Sequence, residues 1–349
     1  MSDSLTKERD LGIEALRILA MFMICTLHVL LQGGVLAAAP LGSAQYRVSW
    51  FLESVAYCGV NCYALISGYV GVKARFKWSR LALVWLQVLF YELLLSLYFQ
   101  IVIPSVMAPS LWLNAVTPII SGEYWYITAY AGMFLFIPVM NIALEKLSRR
   151  QVRQCLAAGL ILFVFLQVLK QSLDLGLLSG YSTIWLCFLY LLGGYIRLYA
   201  APLSAKKIWL LPLFAVCALL TWVSKLWGRG LLLNYTSPTV LAAAVALLLY
   251  FTNTDIKGNA ARWLISFVSP TTLAVYLIQT NRLVFGIYMK DRFVGLTAYN
   301  AGTMLVYVIL SALLIFTACS LIDRVRIWLF SLLRLNKAAQ KLDAVLADK

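Results

Sequence analysis

Long apolar runs, parted by short polar stretches, follow one another from residue 11 to residue 322. An α-helix needs roughly 20 apolar residues to cross a hydrocarbon core about 30 Å thick. Hydropathy therefore predicts about ten transmembrane helices. They fall near residues 11–32, 48–70, 80–103, 123–143, 155–173, 182–199, 208–226, 238–253, 264–288 and 299–322. The expected fold class is all-α, a polytopic membrane helical bundle. It forms a single membrane-embedded domain over residues 1–349, with short tails at about 1–10 and 323–349. The lipid bilayer is its first expected partner.

Composition agrees. Hydrophobic residues make up 62% of the chain and charged residues only 12%. A soluble domain is nearer 45–50% apolar, with about a quarter of its residues charged. The formal charge of +15 would suit a nucleic-acid partner, but the cations fall in short loops between apolar spans, so none is expected. Their placement instead sets an orientation. With the N-terminus in the cytoplasm and sides alternating, 21 of the 29 Lys and Arg fall inside, Lys7, Arg9, Lys206 and Lys349 among them. Seven fall outside, including Arg229 and Arg282, and Arg17 is the remaining one. This asymmetry is what the positive-inside rule expects, so an even helix count with both termini cytoplasmic is expected. LAAAP at 36–40 has the look of a cleavage site. The apolar stretch before it is too long for a signal peptide, so the first helix is expected to be retained. The seven cysteines show no C-x-x-C and no Cys/His ligand spacing. No metal is expected, and the thiols read as small apolar residues.

The candidate chemistry begins in the first span. Arg17 and His28, the chain's only histidine, are eleven residues apart. At 3.6 residues per turn they return to nearly the same helix face, about 16 Å apart in depth. Both are expected to point into one groove or pore. Ionisable residues inside a bilayer suggest a functional site. The structural alternative is an arginine that snorkels to water and an isolated polar core histidine. Glu14 stands one turn before Arg17, where it can pair with it or face water. Asn61 and Ser67 interrupt the second span, and small polar residues also allow close helix packing. Glu92 is a mid-helix acid that must be paired or wet. Trp125 and Tyr126 open the fourth span, where an aromatic cluster can also be an interfacial belt. Ser269-Pro270 can kink the ninth span ahead of Tyr276, Gln279 and Asn281. Together these outline a polar interior that fits an enzyme or a transporter.

Five segments in order resemble the integral-membrane acyltransferase 3 family. They are Arg17-x10-His28, NCYALISGYV at 61–70, Lys77-x-x-Arg80, EYWYITAYAGMFLFIPVMN at 123–141 and SPTTLAVYLIQTN at 269–281. Two positions depart from it: many members have His where this chain has Gln279, and His where it has Glu123-Tyr124. The YWYITAY and YLIQTN forms look most like the branch that acylates capsular or exopolysaccharide sugars. No fused esterase-like domain is expected.

The resemblance implies an acyl-CoA-dependent O-acyltransferase of a bacterial plasma (inner) membrane. It would move an acyl group, usually acetyl, from cytoplasmic acyl-CoA to a hydroxyl of a cell-surface or lipid-linked glycan outside. Acyl-CoA is then the donor and the glycan the acceptor, with polysaccharide-synthesis proteins as further partners. His28 and Arg17 are the catalytic candidates. A neutral imidazole suits a general base. Arg17, Lys77 and Arg80 are candidates for the CoA phosphates, since fixed cations suit polyanions. Lys77 and Arg80 serve equally as plain positive-inside residues. Glu14, Asn61, Ser67, Glu92, Trp125, Tyr126, Gln279 and Asn281 are candidates for lining the pore or the substrate site. The alternative is a multi-pass transporter or flippase of a glycan or small molecule; such proteins often carry internal repeats, and none is visible here.

Overall fold

The computed structural model describes residues 10–118, 120–170, 175–200, 204–228 and 230–347, apart from the side chains of 204–206 and 346–347. Lys7, Arg9, Arg229, Lys349 and the Lys206 side chain therefore lie outside the described residues. Every regular element described is helical. The principal helices are α1 (Leu11–Leu30), α2 (Ala44–Ala56), α3 (Gly59–Gly71), α4 (Trp78–Val102), α5 (Trp125–Lys146), α6 (Arg149–Leu160) and α7 (Thr183–Tyr199). They continue with α8 (Leu210–Leu226), α9 (Pro238–Thr252), α10 (Asn259–Val268), α11 (Thr272–Thr280), α12 (Ala301–Leu332) and α13 (Leu335–Ala347).

Among the described residues, seven helical stretches are long and apolar enough to cross a membrane. They are α1, α4, α5, α6 extended to Leu169, α8 from Lys207, α10 joined to α11, and α12. Helices α7 and α9 are apolar but shorter.

Three expected spans differ from the observed helices. The 48–70 segment is two helices, α2 and α3, parted at Tyr57–Cys58. The break brings Gly59 so close to α1 that an added methyl would stand 2.8 Å from the Ala20 carbonyl oxygen. The 264–288 segment stops at Asn281, whose extended backbone ends α11. The Asn281 carboxamide then accepts from the amides of Leu283 and Val284 and starts a new turn. The 299–322 span runs on to Leu332, through what composition reads as a tail. The buried acid there is paired: Asp323 accepts from Arg326 at 2.5 and 2.8 Å and from the Tyr91 hydroxyl at 2.6 Å, while the Arg324 guanidinium lies over the Phe267 ring. A buried charge survives only when paired in this way.

Helix α1 is the centre of the bundle. Its apolar window is 67% buried, against 22–44% for the other long helices. It packs against α2, α3, α9, α11 and α12. The outer helices expose Leu, Ile, Phe and Val, as a lipid-facing ring should. Lipid tails are as apolar as the core, so such helices associate by close packing rather than by escape from water. The tightest contact joins α3 to α7. Gly68 lies against the Tyr190 backbone and Gly193 against that of Leu65, with no room for a Cβ at either.

Candidate active site

A cavity of about 430 Å³ opens at the His28 end of α1. Several parts of the chain supply its wall. Helix α1 gives His28, the end of α2 gives Glu53 and, just past it, Tyr57, and the start of α5 gives Trp125 and Tyr126. The turn after α11 closes one side with Arg282 and Phe285. The helix breaks matter here. Glu53 and Tyr57 stand at the first break, and Phe285 follows the second.

His28 meets Phe285 edge-on, with ring centroids 6.4 Å apart. Gln279 lies beside the imidazole and donates to Cys25 Sγ at 3.2 Å. The imidazole Nδ1 and Gln279 Oε1 are both buried without a hydrogen-bond partner. Glu53 is 3% exposed, and its Oε2 is likewise unpartnered. Buried polar atoms are normally satisfied. Gln32 also lines the cavity and its Oε1 is unpartnered too, so three lining residues, His28, Gln32 and Glu53, carry a buried polar atom free to meet a ligand.

Aromatic rings form most of the remaining wall. Trp125 lies 4.5 Å from Tyr181 and is stacked on Tyr235 at 6.2 Å. Tyr57 reaches Tyr235 at 4.9 Å. At the mouth, Glu123 accepts from Asn114 at 2.8 Å and stands 4.0 Å from Arg282.

Arg17 is not in this cavity, contrary to the shared pore expected from helix phase. Its Nη1 donates to both oxygens of Glu14, at 2.9 and 2.8 Å. The Ser269 hydroxyl donates to the same carboxylate. That pairing holds the guanidinium one turn down α1, and 29% of its side chain remains exposed. Between the two polar sites stand Tyr63 and Tyr126, which line the cavity and lie within electrostatic reach of Arg17. The Tyr63 hydroxyl donates to the Arg17 carbonyl at 3.1 Å. Arg80 joins Arg17 in facing Tyr130. Lys77 does not: it lines a separate cavity of about 450 Å³ with Arg75 and Asp343.

The other sequence candidates divide. Trp125 and Tyr126 line the His28 cavity, and Gln279 supports the imidazole. Asn61, Ser67, Glu92 and Asn281 do not line it. Asn61 is fully buried, donating to the Tyr235 carbonyl at 2.8 Å and accepting from the Trp185 indole at 3.1 Å. Ser67 donates back to the Tyr63 carbonyl at 3.0 Å. Asn281 donates to Glu92 at 2.9 Å. Asn61, Glu92 and Asn281 tie separate segments together, while the Ser67 bond stays within α3. Sequence reasoning missed Glu53, although the rule that flagged Glu92, an acid inside an apolar span, applies to it equally. It also missed Tyr57, Tyr181 and Tyr235, which only the fold brings together.

Among the described residues, no group of three or more His, Cys, Asp or Glu side chains stands close enough to hold a metal ion. A family model described as an acyltransferase domain, Acyl_transf_3, matches residues 10–324. No curated protein and no solved structure matches the chain.

Proposed function

This chain belongs to the acyltransferase 3 family, and from that premise we propose that it carries an acyl group, acetyl in the first instance, from cytoplasmic acyl-CoA to a hydroxyl of a glycan outside the membrane. The Arg17 end of the bundle faces the cytoplasm in this reading, and the membrane is a bacterial inner membrane. The observation that carries it is the cavity: the only imidazole of the chain lines it, with Nδ1 unpartnered, beside aromatic rings and a free carboxyl oxygen.

The chemistry follows from the groups. A hydroxyl is a weak nucleophile at neutral pH, and a positioned base assists its attack. Neutral His28 takes the hydroxyl proton as the oxygen bonds to the thioester carbonyl carbon. The carbon–sulfur bond then breaks, and the imidazolium returns the proton to the departing CoA sulfur. The products are an ester and free CoA thiol. Gln279 holds the ring in place. The CoA phosphates stay at the other end, where Arg17 and Arg80 face one tyrosine, with Lys77 at the start of α4 as a further cation. The thin pantetheine arm passes between Tyr63 and Tyr126 to bring the thioester to His28.

The test supplies radiolabelled acetyl-CoA to membranes holding the protein and an extracted surface glycan. Label is expected in the glycan as alkali-labile ester. Glycan that crosses the membrane without gaining label would contradict the reading and favour a flippase.

A further inference from the structure

We propose that the wall formed by Trp125, Tyr57, Tyr181 and Tyr235 is a subsite for one uncharged pyranose ring, with Glu53 accepting a hydroxyl from it. The inference rests on the acyl-transfer reading for why a hydroxylated ligand should enter this cavity. It adds what that ligand is and what it is not.

The wall has the two features a sugar ring needs. One is a set of adjoining aromatic faces: Trp125 stacked on Tyr235 with 22° between the planes, Tyr181 5.0 Å from Tyr235, and Tyr57 on the other side. Aromatic faces are electron-rich, and the C–H face of a pyranose is apolar with slightly positive hydrogens, so the two attract. The other is an acceptor set within those faces. Glu53 sits one turn before Tyr57 on α2 and interacts with both Tyr57 and Tyr235. Its Oε2 is buried and unpartnered. A hydroxyl donated by a ring lying on the aromatics would satisfy it, which removes a penalty the empty cavity carries. An alkyl chain would match the rings but offer Glu53 nothing. The volume, about 430 Å³, is within the range of small-ligand pockets.

The charges select among sugars. Arg282 is the only Lys or Arg lining the cavity among the described residues, and it already faces Glu123. A uronic or sialic acid would have to bury its carboxylate among aromatic rings with that cation already engaged by Glu123, and a buried charge without a partner is costly. The subsite therefore favours a neutral hexose or N-acetylhexosamine.

The test is saturation-transfer NMR on the purified full-length protein in detergent. The probes are the methyl glycosides of glucose, galactose and N-acetylglucosamine, with methyl glucuronide as the charged partner of the first. At least one neutral glycoside should bind, with transfer strongest at its ring C–H protons, and methyl glucuronide should bind at least about tenfold more weakly. Glu53→Leu, close in size but with no acceptor, should weaken the neutral glycoside by about tenfold, the worth of one hydrogen bond left unmade. Trp125→Ala should remove the signal. Glucuronide bound as well as the neutral sugars, no neutral glycoside bound, or unchanged binding in a folded Glu53→Leu variant would each overturn the proposal. No acyl donor is present, so the two readings fail separately. Glycoside binding without any acyl transfer would sink the reaction and leave the subsite. Acyl transfer with a preference for glucuronide would do the reverse.

Discussion

The two polar residues of α1 live in opposite surroundings. At Arg17 the polar groups are matched: the guanidinium meets Glu14, Glu14 also accepts from Ser269, and Tyr63 closes on the Arg17 carbonyl. At His28 they are not: Nδ1, the Gln32 Oε1 and the Glu53 Oε2, all on residues that line the cavity, are buried without partners. A satisfied group stabilises the bundle whether or not a ligand arrives. An unsatisfied one is a debt that a ligand settles. Under the proposed function, the contrast sets an open acceptor site at His28 against a paired cation at Arg17 for which the CoA phosphates must compete.

The largest effect tests the unsatisfied end. His28→Ala should fold and insert yet lose about 10²–10⁴-fold in acyl transfer, the usual contribution of a positioned general base. No second histidine exists to take over. A loss of less than about tenfold, measured with the same acceptor, would move the chemistry elsewhere and break the comparison.

A smaller effect is expected at the matched end. Arg17→Ala should weaken CoA binding by about ten- to a hundredfold, the worth of one or two charge-assisted hydrogen bonds. High salt should weaken wild-type binding through screening. Glycoside binding at the far cavity should not change. Equal CoA affinity in the variant, measured by calorimetry, would remove Arg17 from the donor site. A loss of glycoside binding as well would mean that the two ends are one site.

The smallest effect lies where α13 meets α4. Asp343 accepts from the Ser79 amide at 2.9 Å and from its hydroxyl at 2.6 Å, capping the start of α4. These bonds hold the Asp343 carboxyl below its ordinary range, with the nearby Lys77 charge adding to the effect. A depressed acid stabilises the folded form above its unfolded pKa, about 3.9. That contribution fades as pH falls through the lower folded value. Asp343→Asn should therefore lower the amide protection factors of 335–347 at neutral pH, and acid should lower those of the wild type once the intrinsic slowing of exchange at low pH is divided out. Identical exchange in the two proteins at neutral pH would show that the cap does not hold α13.

Much of this contrast was legible in the sequence, and the rest fails for identifiable reasons. The apolar runs located the long helices because length and hydropathy alone decide membrane crossing. They did not place the breaks at Tyr57–Cys58 and Asn281, which depend on what α1 and the Glu92 carboxylate offer across the bundle. Helix phase put Arg17 and His28 on one face, but phase says nothing of partners. Glu14, three residues away, keeps the guanidinium out of the cavity. Asn61 and Glu92 were visible as polar residues in apolar runs. Whether such a residue lines a cavity or ties two helices together depends on Tyr235, Trp185 and Asn281, all distant in sequence. The aromatic wall is the hardest part to read, since Tyr57, Trp125, Tyr181 and Tyr235 come from four separate segments.

The central claim is that the His28 imidazole moves a proton, and His28→Gln isolates it. The amide keeps a polar shape beside Gln279 but cannot accept the hydroxyl proton. The variant is compared with wild type for label passed from acetyl-CoA to glycan, with CoA binding measured on the same samples. The account predicts CoA bound as in wild type and transfer reduced by about 10²–10⁴-fold. A His28→Gln protein that binds CoA and transfers label at the wild-type rate would contradict it.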